Sequence, residues 1–155
     1  MAAYKYINEV GLAHCDAAGI VFLPRYYEMI HAVIENWFEE ALDWPMGQML
    51  GSDRLAVPLV DVATSFPSAS RLGDRLTWRL VVTGIGKSSM SLRITAQCDG
   101  DLRVDCTATL VLSEVGVMRT RRWPDAIRAG AEEFLSAASG HSAPEPASAA
   151  QGKTG

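Results

Sequence analysis

A chain of 155 residues with 48% apolar and 21% charged content is expected to fold as one soluble domain with a real core. A formal net charge of −4 gives no reason to expect a nucleic-acid partner, and no apolar run is long enough to span a bilayer, so no membrane partner is expected. The opening Met1-Ala2-Ala3-Tyr4-Lys5-Tyr6 lacks the basic-then-apolar plan of a signal peptide, and Cys15, Cys98 and Cys106 are an odd set without metal-type spacing, which reads as reduced thiols in the cytoplasm, with no metal and no nucleotide cofactor indicated.

In chain order, Tyr4 to Ala13 carries Tyr4, Tyr6, Ile7, Val10 and Leu12. The alternation is imperfect, but the aromatics favour a strand. The stretch His14-Cys15-Asp16-Ala17-Ala18-Gly19-Ile20-Val21-Phe22-Leu23-Pro24-Arg25-Tyr26-Tyr27 then joins this strand to a helix. From Pro24 to about Leu42 the period is helical. Tyr27, Ile30, Ile34, Trp37 and Ala41 share one face, while Glu28, Ala32, Glu35 and Glu39 share the opposite one and are expected to meet water. Pro24 suits the first helical turn. Glu39, Glu40 and Asp43 crowd the negative end of the helix dipole, against the usual preference, and the sequence offers no reason for it.

Trp44-Pro45 stops the helix, and Met46 to Arg54 reads as a loop. Val57 to Phe66 has apolar residues in both alternating sets and is expected to be a strand covered on both faces. Leu76, Trp78, Leu80 and Val82 define a half-buried strand, as do Met90, Leu92, Ile94, Ala96 and Cys98. Asp99-Gly100 signals a tight hairpin into Leu102, Val104, Cys106, Ala108, Leu110 and Leu112. Trp123-Pro124-Asp125 starts a short helix with Ala126, Ile127, Ala131 and Leu135 inward. The expected domain is 1–139, and 140–155, without a large apolar residue, is expected to be a disordered tail. One strand, one long helix and four further strands imply an α+β fold, an antiparallel sheet wrapped around a single helix.

Asp16 carries the candidate chemistry. A carboxylate before a helix start has unpaired backbone N–H groups and the positive end of a dipole nearby, which is a nucleophile or base beside an oxyanion site. The competing reading is a turn or capping residue. Cys15 and His14 are neighbours in an extended segment and point to opposite faces, so a Cys–His dyad is not expected. Lys87, Ser88 and Ser89 form a polar turn that is either an exposed hairpin or a contact for phosphates. Arg119, Arg121 and Arg122 read as a solvated strand end, with a phosphate contact as the competing reading. His31, at the edge of the apolar helix face, is either packed and hydrogen-bonded or a pocket wall.

The segment Asp16-x-x-Gly19, then Pro24-x-Tyr26-Tyr27 and the long helix, resembles the opening of hotdog-fold acyl-CoA thioesterases, most closely the 4-hydroxybenzoyl-CoA thioesterase type. The likeness continues through Leu59–Asp74 and Gly86–Ser89 and covers roughly Tyr4 to Trp123. It implies a hotdog fold and hydrolysis of an acyl-CoA, with Asp16 catalytic as nucleophile or general base and the backbone N–H of Leu23 as oxyanion donor. It also implies acyl-group contacts from Tyr27, His31 and Val57, and coenzyme A contacts from Lys87, Ser88 and Ser89. In that type the helix position matching His31 holds an acid that meets the substrate's phenol hydroxyl. Here it is His, a departure from the 4-hydroxybenzoyl-CoA type; with the aromatic and branched neighbours Tyr27, Ile34 and Phe38, the expectation is an aromatic acyl group, benzoyl or hydroxybenzoyl, ahead of long fatty acyl chains. Gly84 and Gly86 stand where a relative has bulkier residues. An open sheet edge and a helix covering one face imply a homodimer or a tetramer of dimers with shared sites. The alternatives are a hotdog dehydratase, for which His14 and Asp16 match poorly in spacing and order, and a non-catalytic acyl-CoA binder.

Overall fold

The computed structural model describes residues 3–117 and 119–136. The expected boundary at 139 and the tail at 140–155 lie outside the described residues. The elements are β1 (Tyr4–Glu9), α1 (Leu23–Glu40), α2 (Met46–Leu50), β2 (Leu55–Ala56), β3 (Leu59–Ser65), β4 (Arg75–Ile85), β5 (Ser89–Cys98), β6 (Asp101–Val111), β7 (Ser113–Glu114) and α3 (Asp125–Glu132). The five longer strands form one antiparallel sheet in the order β1-β4-β5-β6-β3, and β2 pairs with β7 in a separate ribbon.

The core lies between the inner face of this sheet and α1. Leu76, Trp78, Leu80 and Val82 of β4, Met90, Leu92, Ile94 and Ala96 of β5, and Val104, Cys106, Ala108 and Leu110 of β6 are buried in one cluster with the helix. Alternation at period two puts each set on one face. The buried stripe of α1 is Tyr26, Met29, Ile30, Val33, Ile34, Trp37 and Phe38, at helical steps of three and four. It is wider than the face expected from the sequence. Tyr27 and Ala41 are only half-buried, and Ala32 is half-buried rather than open. Burying a large apolar side chain contributes about 1.5–3 kcal/mol, so Ile30, Trp37 and Phe38 anchor the helix to the sheet.

The crowded acids at the end of α1 find partial use. Glu40 Oε2 accepts a 2.7 Å hydrogen bond from the Tyr4 hydroxyl, tying the helix end to β1. Burial, and then the bond to Glu40 and its charge, push the Tyr4 phenol well above its usual range. Asp43 adopts a left-handed backbone with φ of 51°, and the Trp44 N–H reaches back to the Phe38 carbonyl at 2.8 Å.

Four details depart from the sequence reading. Met46–Leu50 is a short helix rather than loop, with Met49 fully buried against the core. The first strand ends at Glu9, and Leu12–His14 is a 3-10 turn. Among the described residues β3 is an edge strand, paired only with β6, and its outer face is open in the single chain: Val60 is 58% exposed. In β6, Ala96 of β5 faces Val104 while Gln97 faces Leu102, so Arg103 is an extra residue in the ladder and Leu102 leaves the buried row. The Asp99-Gly100 turn behaves as expected, with φ of 51° and 78°, the pair of positive values that a two-residue hairpin of type I′ requires.

Candidate active site

The segment before α1 is a small hairpin. Cys15 bridges Val21, the Asp16 N–H donates to Ile20 O at 3.0 Å, and the Gly19 N–H donates to Asp16 O at 3.0 Å. Gly19 has φ of 76°, so this is a three-residue loop closed by a glycine bulge, and glycine is needed to avoid strain there. Asp16 Oδ1 accepts from the Ala18 N–H at 2.8 Å, an Asx turn that fixes the carboxylate and leaves Oδ2 without a partner among the described residues. Asp16 thus has the turn role as well as an exposed, oriented carboxylate.

The hairpin is moored to the segment before β4. Val21 N–H donates to Ser70 O at 2.9 Å, Leu72 N–H to Gly19 O at 3.0 Å, and Ile20 bridges Arg71. That segment is held by Asp74, which accepts the Arg71 N–H at 2.9 Å and Arg103 Nη1 at 2.7 Å, while Arg103 also donates to Ala69 O at 2.9 Å. The Arg71 N–H, and next the Arg103 guanidinium, hold the Asp74 carboxyl below the usual carboxylate range. The bulge in β6 supplies this support, because Arg103 is the extra residue.

Helix α1 begins at Leu23 with Phe22 as N-cap, no side chain among the described residues caps it, and Pro24 has no N–H to offer. The Leu23 N–H has no acceptor among the described residues and is a donor left free at the helix start. Leu23 borders a cavity of about 230 Å³ with Val21, Tyr26, Phe66, Ser68 and Ala69. Tyr26 packs on Phe66 with ring centroids 4.8 Å apart, and its hydroxyl accepts the Ser70 N–H at 3.2 Å. Tyr27 meets Phe66 edge-on at 6.5 Å.

A larger groove of about 730 Å³ runs beside α1, lined by His31, Ile34 and Glu35 from the helix, Met46 and Leu50 of α2, Ala56, Val57 and Pro58, Leu110, and Ser113 to Val117. His31 and Val57 are brought together here; His31 is exposed and faces a largely apolar wall. Glu35, expected on the water side, lines the same groove one helical turn from His31. The i, i+4 spacing was the signal for it. Met46 and Leu50 enter through the short helix that the sequence reading missed.

Within one chain Asp16, Tyr27, Lys87, Ser88 and Ser89 line neither cavity. Lys87 and Ser88 lie in the turn between β4 and β5, and Ser89 opens β5. Arg119, Arg121 and Arg122 are exposed, and Arg121 pairs with Glu114 at 2.7 Å. His14 Nδ1 accepts the Gly11 N–H at 2.9 Å, so that ring nitrogen is not paired with Asp16. Among the described residues no group of three or more His, Cys, Asp or Glu is placed to hold a metal, and no helix is long and apolar enough to cross a membrane.

An antiparallel sheet wrapped around one long helix, with a carboxylate-bearing hairpin leading into that helix, is the hotdog architecture of thioesterases. The solved 1,4-dihydroxy-2-naphthoyl-CoA thioesterase from Synechocystis superposes with a TM-score of 0.78 at 19% identity, over 86% of this chain and 98% of that one. A thioesterase superfamily protein from Jannaschia sp. gives 0.79 at 22% identity, over 88% and 95%. A gentisyl-coenzyme A thioesterase gives 0.75 at 20% identity, over 83% and 99%. The family model of the thioesterase-like superfamily matches residues 10–131, and the chain belongs to that superfamily. In sequence it is similar to a 1,4-dihydroxy-2-naphthoyl-CoA hydrolase of Synechocystis sp., 29% identical over 83 residues, a match that spans 54% of this chain and 59% of that protein.

Proposed function

We propose that the protein is an acyl-CoA thioesterase that hydrolyses an aromatic, benzoyl-type acyl-CoA to the free acid and coenzyme A. The observation that carries this reading is the pairing, within one eight-residue segment of a thioesterase-superfamily chain, of an oriented and exposed Asp16 carboxylate with an unpartnered Leu23 N–H at a helix start. A thioester carbonyl needs a nucleophile or an activated water, and a place for negative charge on oxygen. Asp16 either attacks the carbonyl, expelling the coenzyme A thiolate and leaving a mixed anhydride that water opens, or takes a proton from the attacking water. Both routes consume one water and release one acid and one thiol.

The aromatic assignment rests on the groove. Its lining of Ile34, Met46, Leu50, Val57, Pro58 and Leu110 suits a flat apolar group, and His31 offers a donor or acceptor to a ring substituent. The names of the relatives, a dihydroxynaphthoyl-CoA hydrolase and a gentisyl-coenzyme A thioesterase, support the same class.

Asp16 lines neither cavity of its own chain, and among the described residues both sheet edges, β1 and β3, lack a further strand. These facts support a homodimer, or a tetramer of dimers, in which two chains complete each site. Three unpaired cysteines suit a reducing cytoplasm. Incubation with benzoyl-CoA and a thiol reagent tests the proposal. Release of free coenzyme A is expected, and binding or hydration without thiol release would refute it.

A further inference from the structure

The turn Gly86-Lys87-Ser88-Ser89 has an uneven hydrogen-bond inventory. All four of its carbonyls are occupied. Gly86 O accepts Arg128 Nη2 at 2.7 Å, Lys87 O accepts the Trp123 N–H at 3.0 Å, and Ser88 O accepts the Leu112 N–H at 2.8 Å. Ser89 O accepts both the Gly86 N–H at 2.8 Å and Trp123 Nε1 at 3.0 Å. The backbone N–H groups of Lys87 and Ser88, by contrast, have no acceptor among the described residues. Acceptors are tied back into the protein, while two N–H donors, an ammonium and two hydroxyls remain for a ligand. Such a surface favours anions.

Three of the five bonds come from a distant segment. Trp123 is buried, with its ring 6.4 Å from that of Phe38, and Arg128 stands on α3. Neither residue belongs to the turn, and neither lines the groove beside α1. Gly86 allows the tight return, since a Cβ there would lie 2.5 Å from Ser89 Oγ.

We infer that Trp123 and Arg128 are positioning residues for coenzyme A: they fix the Gly86–Ser89 turn with its donors outward, so the C-terminal segment sets affinity for the phosphate-bearing half of the substrate. This rests on the acyl-CoA thioesterase reading above. Trp123→Phe keeps an aromatic ring in the core, though a smaller one, and the backbone bond to Lys87 O, and it removes the Nε1 donor; Arg128→Ala removes the other side-chain contact. The measurement is the ratio of kcat/KM for benzoyl-CoA to that for the benzoyl thioester of N-acetylcysteamine, which lacks the phosphates. Loss of one net hydrogen bond that orders the turn is expected to lower this ratio about 2- to 12-fold in each variant. Arg128→Lys is expected to recover part of the loss, because it restores a donor. Ratios at the parent value in both Trp123→Phe and Arg128→Ala would overturn the inference. Lys87→Ala separates the two layers: if it too leaves the ratio unchanged, the coenzyme A role of the turn has failed; if it lowers the ratio while the other two do not, only the positioning role has failed.

Discussion

Replacing Asp74 by Asn tests how the hairpin bearing Asp16 is supported. Asp74 is 25% exposed and its partner Arg103 13%, so the pair is shielded from much of the solvent. The carboxylate accepts two hydrogen bonds, from the Arg71 N–H and from Arg103. A bond to a charged group contributes about 1.5–3 kcal/mol and a neutral one about 0.5–1.5, so the substitution is expected to cost about 1–2 kcal/mol. At about 2–4 °C per kcal/mol for a chain of this size, Tm should fall by roughly 2–8 °C at pH 7. Because folding depresses the Asp74 pKa, its contribution is fully present above the unfolded value of about 3.9 and fades as pH falls from there through the folded value. Thermal melts of parent and variant from pH 7 to pH 3 should show a constant gap down to about pH 4 that then narrows. No gap at neutral pH, or a gap unchanged at pH 3, would show that the ionised Asp74 does not brace this hairpin.

His31→Ala should change acyl choice more than rate: the kcat/KM ratio between hydroxylated and unsubstituted benzoyl-CoA is expected to shift about 2- to 12-fold, the range of one hydrogen bond to a buried hydroxyl. Equal losses on both substrates, or none, would make His31 a packing residue. Sedimentation at micromolar concentration should find a dimer or tetramer, and a monomer would contradict the shared-site proposal.

The sheet and the long helix were legible because their signals are periodic. Trp78, Ile94 and Cys106 fall inward by simple alternation, and Asp99-Gly100 marks its own turn. What escaped had no period to read. Five residues, Met46–Leu50, are too short for a helical pattern, yet they carry Leu50 and Met46 to the groove. A one-residue bulge sends Arg103 to Asp74 and Leu102 out of the core, and alternation cannot anticipate such a slip. β3 looked apolar on both faces, but it is an edge strand with an open outer face. The Asp16-x-x-Gly19 spacing marked a junction into the helix, and the structure makes that junction a hairpin whose bulge requires the glycine. The clamping of the Gly86–Ser89 turn was hidden, because it depends on Trp123 and Arg128, more than thirty residues away in sequence.

Asp16→Asn removes the charge on which the proposed hydrolysis depends. The change is nearly isosteric, and the amide oxygen can still accept the Ala18 N–H that shapes the turn. The variant should therefore melt like the parent. Without the charge it can neither attack the thioester nor take a proton from water, so turnover of benzoyl-CoA is expected to fall at least ~100-fold, the low end of what a general base contributes. Parent-like turnover in a variant that melts at the parent's temperature would contradict the account.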